Sequence, residues 1–241
     1  MTRKTSVTAP RARVTRESAR ARELHDVRAA LAHVRASDPV LARVMDLSIP
    51  FELPEKPTQS MFVALAEAIV YQQLHGKAAA TIFARVCALC PRGVRGLTPE
   101  RVLLAQDDEL RGAGLSRAKL AALRDLAAKT RANEIPTLAR ARRMSDDEIV
   151  AQLARVRGIG RWTAEMLLMF RLRRPDVLPA DDFGVRKGFK VAYGKRDLPS
   201  RTQLVRHAER WRPYRTVGSW YMWRATELDP RDLRPVRSAR V

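Results

Sequence analysis

The chain has 241 residues, with 46 Lys and Arg against 26 Asp and Glu, and a formal net charge of +20. So basic a surface fits a polyanionic partner, because neutralising phosphates releases counterions, and it argues against an ordinary small-metabolite enzyme. Two cysteines exclude a disulfide-stapled scaffold and a four-cysteine iron–sulfur cluster, and no run of about 18 apolar residues offers a membrane-spanning helix.

Residues 1–22 are basic and poor in large apolar groups: Arg3, Lys4, Arg11, Arg13, Arg16, Arg20 and Arg22 face only Glu17. They read as a loose basic tail, and so do residues 231–241. One folded domain is expected over residues 23–230. Its apolar residues recur at helical spacing. Leu24, Val27, Leu31 and Val34 form one stripe, broken near Asp38-Pro39, and Leu41 and Val44 begin the next. Ser60 can cap a helix whose inner face carries Phe62, Leu65, Ile69 and Tyr71. The polar turn Gln72–Gly76 interrupts it before a helix through Ala79, Ile82, Phe83 and Val86. Thr98 with Pro99 starts another, which Gly112 and Gly114 break. Ser116 caps a helix with Leu120, Leu123 and Leu126 on one side. Ser145 with Glu148 and Ser200 with Gln203 are capping boxes. A last helix is expected from Thr216 to Glu227. The fold class is all-α, with roughly ten helices and short loops.

Two segments carry chemical information. In Val156-Arg157-Gly158-Ile159-Gly160-Arg161-Trp162-Thr163-Ala164, the two glycines permit a tight turn that exposes backbone amides ahead of an apolar helix. Such amides suit a phosphate oxygen, and Arg161 adds charge; a plain helix–helix turn has the same spacing. In Leu178-Pro179-Ala180-Asp181-Asp182, Pro179 forces an extended approach, and a helix should start at Asp181 or Asp182. A carboxylate there is stabilised as the anion, ready to stabilise a cation or activate water; two capping aspartates without chemistry would look alike.

Taken in one register, the hairpin, the apolar helix, the proline segment and Asp182 resemble the helix-hairpin-helix (HhH-GPD) superfamily. Within it the likeness is to the 3-methyladenine DNA glycosylase II family, with its G-I-G-x-W-T-A hairpin and L-P-x-D-D segment. Ala68 to Leu74, Gly114-Leu115-Ser116 and Arg212-Pro213-Tyr214-Arg215 fit the same family, and the resemblance spans roughly residues 26 to 228. It implies a compact helical glycosylase fold with two helical subdomains flanking an active-site cleft. The implied enzyme is a monofunctional glycosylase of base excision repair that flips an alkylated base, of the 3-methyladenine or 7-methylguanine type, and hydrolyses its N-glycosidic bond.

By resemblance, Asp182 is the catalytic carboxylate and Asp181 its supporting neighbour. Trp162 stands where related lyases carry a lysine nucleophile, so Schiff-base strand cleavage is disfavoured. Its ring suits a cationic purine, and Trp223, Met166 and Tyr71 complete an apolar pocket. Gln73, with Leu74 as second choice, is the DNA wedge. Gly158, Ile159, Gly160 and Arg161 form the phosphate-binding hairpin, in which Arg157 replaces the family's usual proline. The carbonyls of Ala154, Val156 and Ile159 would hold Na+ or K+, and no other cofactor is expected. Trp211 and Trp220 read as core, Cys87 and Cys90 as apolar residues at a helix end. The expected partner is double-stranded DNA containing alkylated bases, without a membrane. The protein is expected to be a cytoplasmic monomer working at a bacterial nucleoid. Two other readings fit the same residues: a glycosylase for another lesion, and a non-catalytic DNA-binding module.

Overall fold

A computed structural model describes residues 26–54 and 60–233. The tail expected over 1–22 and the start of the first stripe at Leu24 lie outside these residues. Helix is the regular structure throughout; among the described residues there is no strand, and no helix is long and apolar enough to cross a membrane. The chain divides into two units, one ending at Phe51 and resuming at Phe183, the other spanning Glu52–Asp182.

In the first unit, helical residues 26–37 (α1) lead directly into α2 (Pro39–Leu47). Asp38 makes the break. Its Oδ1 accepts the Leu41 amide at 3.2 Å, and Pro39 occupies the first helical turn, where a missing N–H costs nothing. The rest of the unit is α11 (Phe183–Ala192), α12 (Arg201–Ala208) and α13 (Arg215–Ala225). α11 and α13 approach closely because Gly188 has no side chain: a Cβ there would stand 1.7 Å from the Met222 carbonyl oxygen. Trp211 and Trp220 are buried, as expected.

Asp38 is also the hub of this unit. Its Oδ2 accepts from Tyr193 Oη at 2.6 Å, Trp211 Nε1 at 2.9 Å and His207 Nε2 at 3.0 Å. Burial pushes the Asp38 carboxyl up, but these donors and the Leu41 amide prevail and hold it well below the usual carboxylate range. The C-terminal tail was expected over 231–241, of which 234–241 lie outside the described residues. Arg43 Nε donates to the Asp232 carbonyl at 2.7 Å and Leu233 is buried, so residues 231–233 belong to the packed unit.

The second unit holds α3 (Met61–Tyr71), α4 (Gly76–Ala88), α5 (Pro99–Leu104), α6 (Asp107–Gly112), α7 (Arg117–Arg131), α8 (Leu138–Ala141), α9 (Asp146–Leu153) and α10 (Arg161–Phe170). Ser60 caps α3 through the Val63 amide, and Phe62, Leu65 and Ile69 are buried, as their spacing predicts. α7, whose Leu120, Leu123 and Leu126 are buried, packs against α3 and α5. The single helix expected from Thr98 to Gly112 is instead two short ones. Glu109 accepts the Gln106 amide at 2.9 Å, so a new N-terminus forms inside the stretch. The short α8 was not legible from apolar spacing.

Candidate active site

α9, a seven-residue turn and α10 form the helical hairpin. Val156 and Ile159 are buried and anchor the turn, while Gly158 and Gly160 are exposed. Gly158 needs to be glycine: its φ is +78°, and an added Cβ would meet Ala122 at 3.3 Å. Gly160 does not need to be one for the turn, which corrects the expectation. It sits at φ −93° as the N-cap of α10, with open space where a Cβ would go and no side chain capping the helix. Arg157, in the place of the family's proline, supplies an amide that proline lacks. That N–H donates to Asp125 Oδ2 at 2.7 Å, and Asp125 Oδ1 pairs with Lys129 at 2.5 Å. Burial raises the Asp125 carboxyl, but the Arg157 amide and Lys129 outweigh it and leave it below its usual range. Arg161, expected to face phosphate, lies 3.4 Å from the buried Glu165 on the next turn of α10.

The segment after α10 carries Asp182. Arg174 donates to the Ala141 and Met144 carbonyls at 2.8 and 2.9 Å, and Val177 and Ala180 are buried. The Asp182 amide closes on the Pro179 carbonyl at 3.0 Å, and α11 starts at Phe183, just past the Asp181 or Asp182 start that was expected. Asp181 is exposed and Asp182 half-buried. Trp162 donates its indole N–H to Asp182 Oδ2 at 2.7 Å, although its ring remains 48% exposed. The structure thus brings together the two residues on which the sequence reading depends.

Trp162 also opens a cleft of about 720 Å³ between α3 and α10. That is the size range of small-ligand sites. Trp162, Met166 and Phe170 stand four residues apart on α10, and Ala64, Glu67, Ala68 and Tyr71 line the opposite wall. The small alanines of α3 leave the room that the aromatics of α10 border. Of the expected pocket residues, Trp162, Met166 and Tyr71 share this cleft, whereas Trp223 stands on α13 in the other unit. Burial, and then the nearby Glu67, push the Tyr71 phenol above its usual range.

At the wedge position, Gln73 is exposed and adopts φ +55°, uncommon for a residue with a side chain; Leu74 beside it is 39% exposed. The turn is braced on both sides. Gln72 Nε2 donates to the Gly158 carbonyl at 2.8 Å, and Lys119 Nζ donates to the Val70 carbonyl at 2.7 Å. Neither contact was visible in the sequence, since the partners stand 86 and 49 residues apart. An ion pair between Glu67 and Arg171 in the cleft, 104 residues apart, was missed for the same reason. Cys87 and Cys90 are buried, and burial pushes the Cys87 thiol up to about 11, which leaves it unreactive at neutral pH.

Comparison with known proteins places these features in a family. Residues 66–213 match the HhH-GPD superfamily base excision DNA repair proteins. DNA-3-methyladenine glycosylase 1 of Schizosaccharomyces pombe is 36% identical over 178 residues, covering 72% of this chain and 78% of that protein. The solved structure of the S. pombe 3-methyladenine DNA glycosylase in complex with abasic DNA aligns with a TM-score of 0.73 at 33% identity, over 83% of this chain and 98% of that one. A DNA-3-methyladenine glycosidase from Bacillus halodurans aligns with a TM-score of 0.73 at 33% identity, over 81% and 88%. The chain belongs to the HhH-GPD superfamily of base excision DNA repair proteins.

Proposed function

We propose that this protein is a monofunctional DNA glycosylase that removes alkylated, cationic purines from double-stranded DNA. The observation that carries this reading is the Trp162–Asp182 hydrogen bond at the mouth of an aromatic cleft. A purine alkylated at N3 or N7 is positively charged while attached to its sugar. An electron-rich indole face attracts it by about 0.5–2 kcal/mol, according to desolvation. As the C1′–N bond lengthens, its electron pair moves into the base, which becomes neutral, and positive charge appears on the sugar. The Asp182 carboxylate stabilises that charge and orients water, whose oxygen bonds to C1′ while its proton passes to the carboxylate or to solvent. Free base and an abasic site result. The indole N–H keeps Asp182 oriented, and position 162 offers no amine for a Schiff base.

Extrusion would be assisted by Gln73, or by Leu74, filling the vacated place in the duplex. The uncapped amides at the start of α10, with Gly158, Ile159, Gly160 and Arg161, suit a backbone phosphate. In the same turn the carbonyls of Ala154, Val156 and Ile159 are hard oxygen donors of the kind that hold Na+ or K+. Val156 O accepts the Ile159 amide at 3.0 Å and keeps a second lone pair for such an ion. Bound there, the ion would add positive charge toward a phosphate.

The decisive test is release of free 3-methyladenine and 7-methylguanine from methylated duplex DNA by the wild type and by Asp182→Asn. The substitution should cut release by on the order of 10² or more, as expected when an electrostatic stabiliser is lost. Equal release by both proteins would remove Asp182 from the mechanism.

A further inference from the structure

The apolar cleft contains one charged pair, and nothing in the reaction above uses it. Glu67 on α3 and Arg171 at the end of α10 both line the cleft and form an ion pair. Both side chains are largely buried, 19% and 14% exposed. Desolvating two charges beside an aromatic wall is costly, and apolar residues of similar volume often serve stability as well or better. Stability therefore does not explain why the pair stands in this cleft.

Its position along the cleft suggests a task. Gln72, just past the end of α3, bonds the Gly158 carbonyl shortly before α10 begins, whereas Glu67 meets Arg171 where α10 ends. The two helices thus run in opposite directions, so Trp162, bonded to Asp182, lines one end of the cleft and Arg171 the other. Tyr71 lies one helical turn nearer the Asp182 end than Glu67, about 6 Å along the axis. A purine whose glycosidic bond lay at Asp182 and whose face lay on Trp162 would extend its six-membered ring, which carries the exocyclic amino group, down the cleft toward Glu67.

Resting on the glycosylase reading, we propose that Glu67, held by Arg171, is a specificity-determining residue that accepts hydrogen bonds from the exocyclic amino group of the extruded purine. A carboxylate offers about four acceptor sites on its two oxygens, enough to hold a guanidinium and a base amino group together. Arg171 fixes its direction, and a charged acceptor makes the stronger bond. A site built around such a bond rejects a purine that lacks the donor, because the buried acceptor is then left without it.

The test compares 7-methylguanine with 7-methylhypoxanthine in otherwise identical duplexes, since the two differ only in the 2-amino group. Wild type should show a kcat/KM for 7-methylguanine at least about tenfold higher, as loss of a hydrogen bond to a charged group predicts. In Glu67→Gln the ratio should shrink to about threefold or less. The double variant Glu67→Leu with Arg171→Met removes the pair without orphaning a charge, so it covers the case in which the single variant fails to fold; its ratio should approach one. A wild-type ratio near one, a wild-type ratio retained in both variants, or an equal loss on both substrates overturns the proposal. Failure of the wild type to release either base overturns the glycosylase reading instead, and so separates the two.

Discussion

Trp162 combines two properties that a single substitution can separate: a wide aromatic face and an N–H donor fixed on Asp182 at 2.7 Å. Trp162→Phe keeps an aromatic face and removes the donor. The loss of one charge-assisted hydrogen bond, about 1.5 kcal/mol, should lower kcat roughly tenfold while KM changes little. Single-turnover base release at saturating enzyme measures it; an unchanged rate would mean that Asp182 needs no help from the indole. The hairpin glycines separate in the same way. Gly158→Ala places a side chain at φ +78° and 3.3 Å from Ala122, so it should cost on the order of 1–2 kcal/mol in a urea titration. Gly160→Ala meets nothing within 4 Å at an ordinary φ, so it should cost only the N-cap preference for glycine over alanine, on the order of 0.5 kcal/mol. If the α10 terminus receives a phosphate, the added methyl group should nonetheless weaken duplex binding several-fold. Two glycines that look equivalent in the sequence would then fail for different reasons, one in folding and one in binding.

At the scale of elements, the caps and stripes were legible because they are local. Ser60, Ser116, Ser145 and Ser200 each accept an amide three residues on, and those helices start where the capping residues predict. The order of hairpin and aspartate was legible for the same reason. What escaped the sequence depends on partners far apart along the chain: Glu67 with Arg171, Gln72 with Gly158, and the three donors that converge on Asp38 from more than 150 positions away. The Asp38 network ties α2 to α11 and α12 and has a consequence in acid. Its folded carboxyl titrates below the unfolded value of about 3.9, so the stability it contributes is fully present above that value. Stability is lost as pH falls from there toward the lower folded value. Asp38→Asn should cost about 3 kcal/mol at pH 7 by leaving buried donors poorly matched, a fall in Tm on the order of 10 °C. The gap in Tm between wild type and variant should narrow as pH drops from 6 to 3. A gap independent of pH would show that the ionised form contributes nothing.

For the molecule as a whole, the net charge of +20 and the small apolar cleft should govern different parts of DNA binding. Phosphate contacts release counterions and act on any duplex, damaged or not. Stacking of an extruded base in the cleft releases none, so it should add affinity that salt does not remove. Measured with Asp182→Asn to prevent turnover, log–log plots of affinity against salt should therefore be parallel for an undamaged and an alkylated duplex. A slope on the order of −5 corresponds to five or six neutralised phosphates. The vertical offset between the lines then reports the cleft, and Trp162→Ala should reduce that offset without changing either slope. Arg157→Ala should do the converse: its side chain is exposed on the hairpin, so its loss should flatten both slopes by up to about 0.9 and leave the offset intact. Lines that converge at high salt would mean that lesion recognition is itself electrostatic, and the division of labour between basic surface and aromatic cleft would fail.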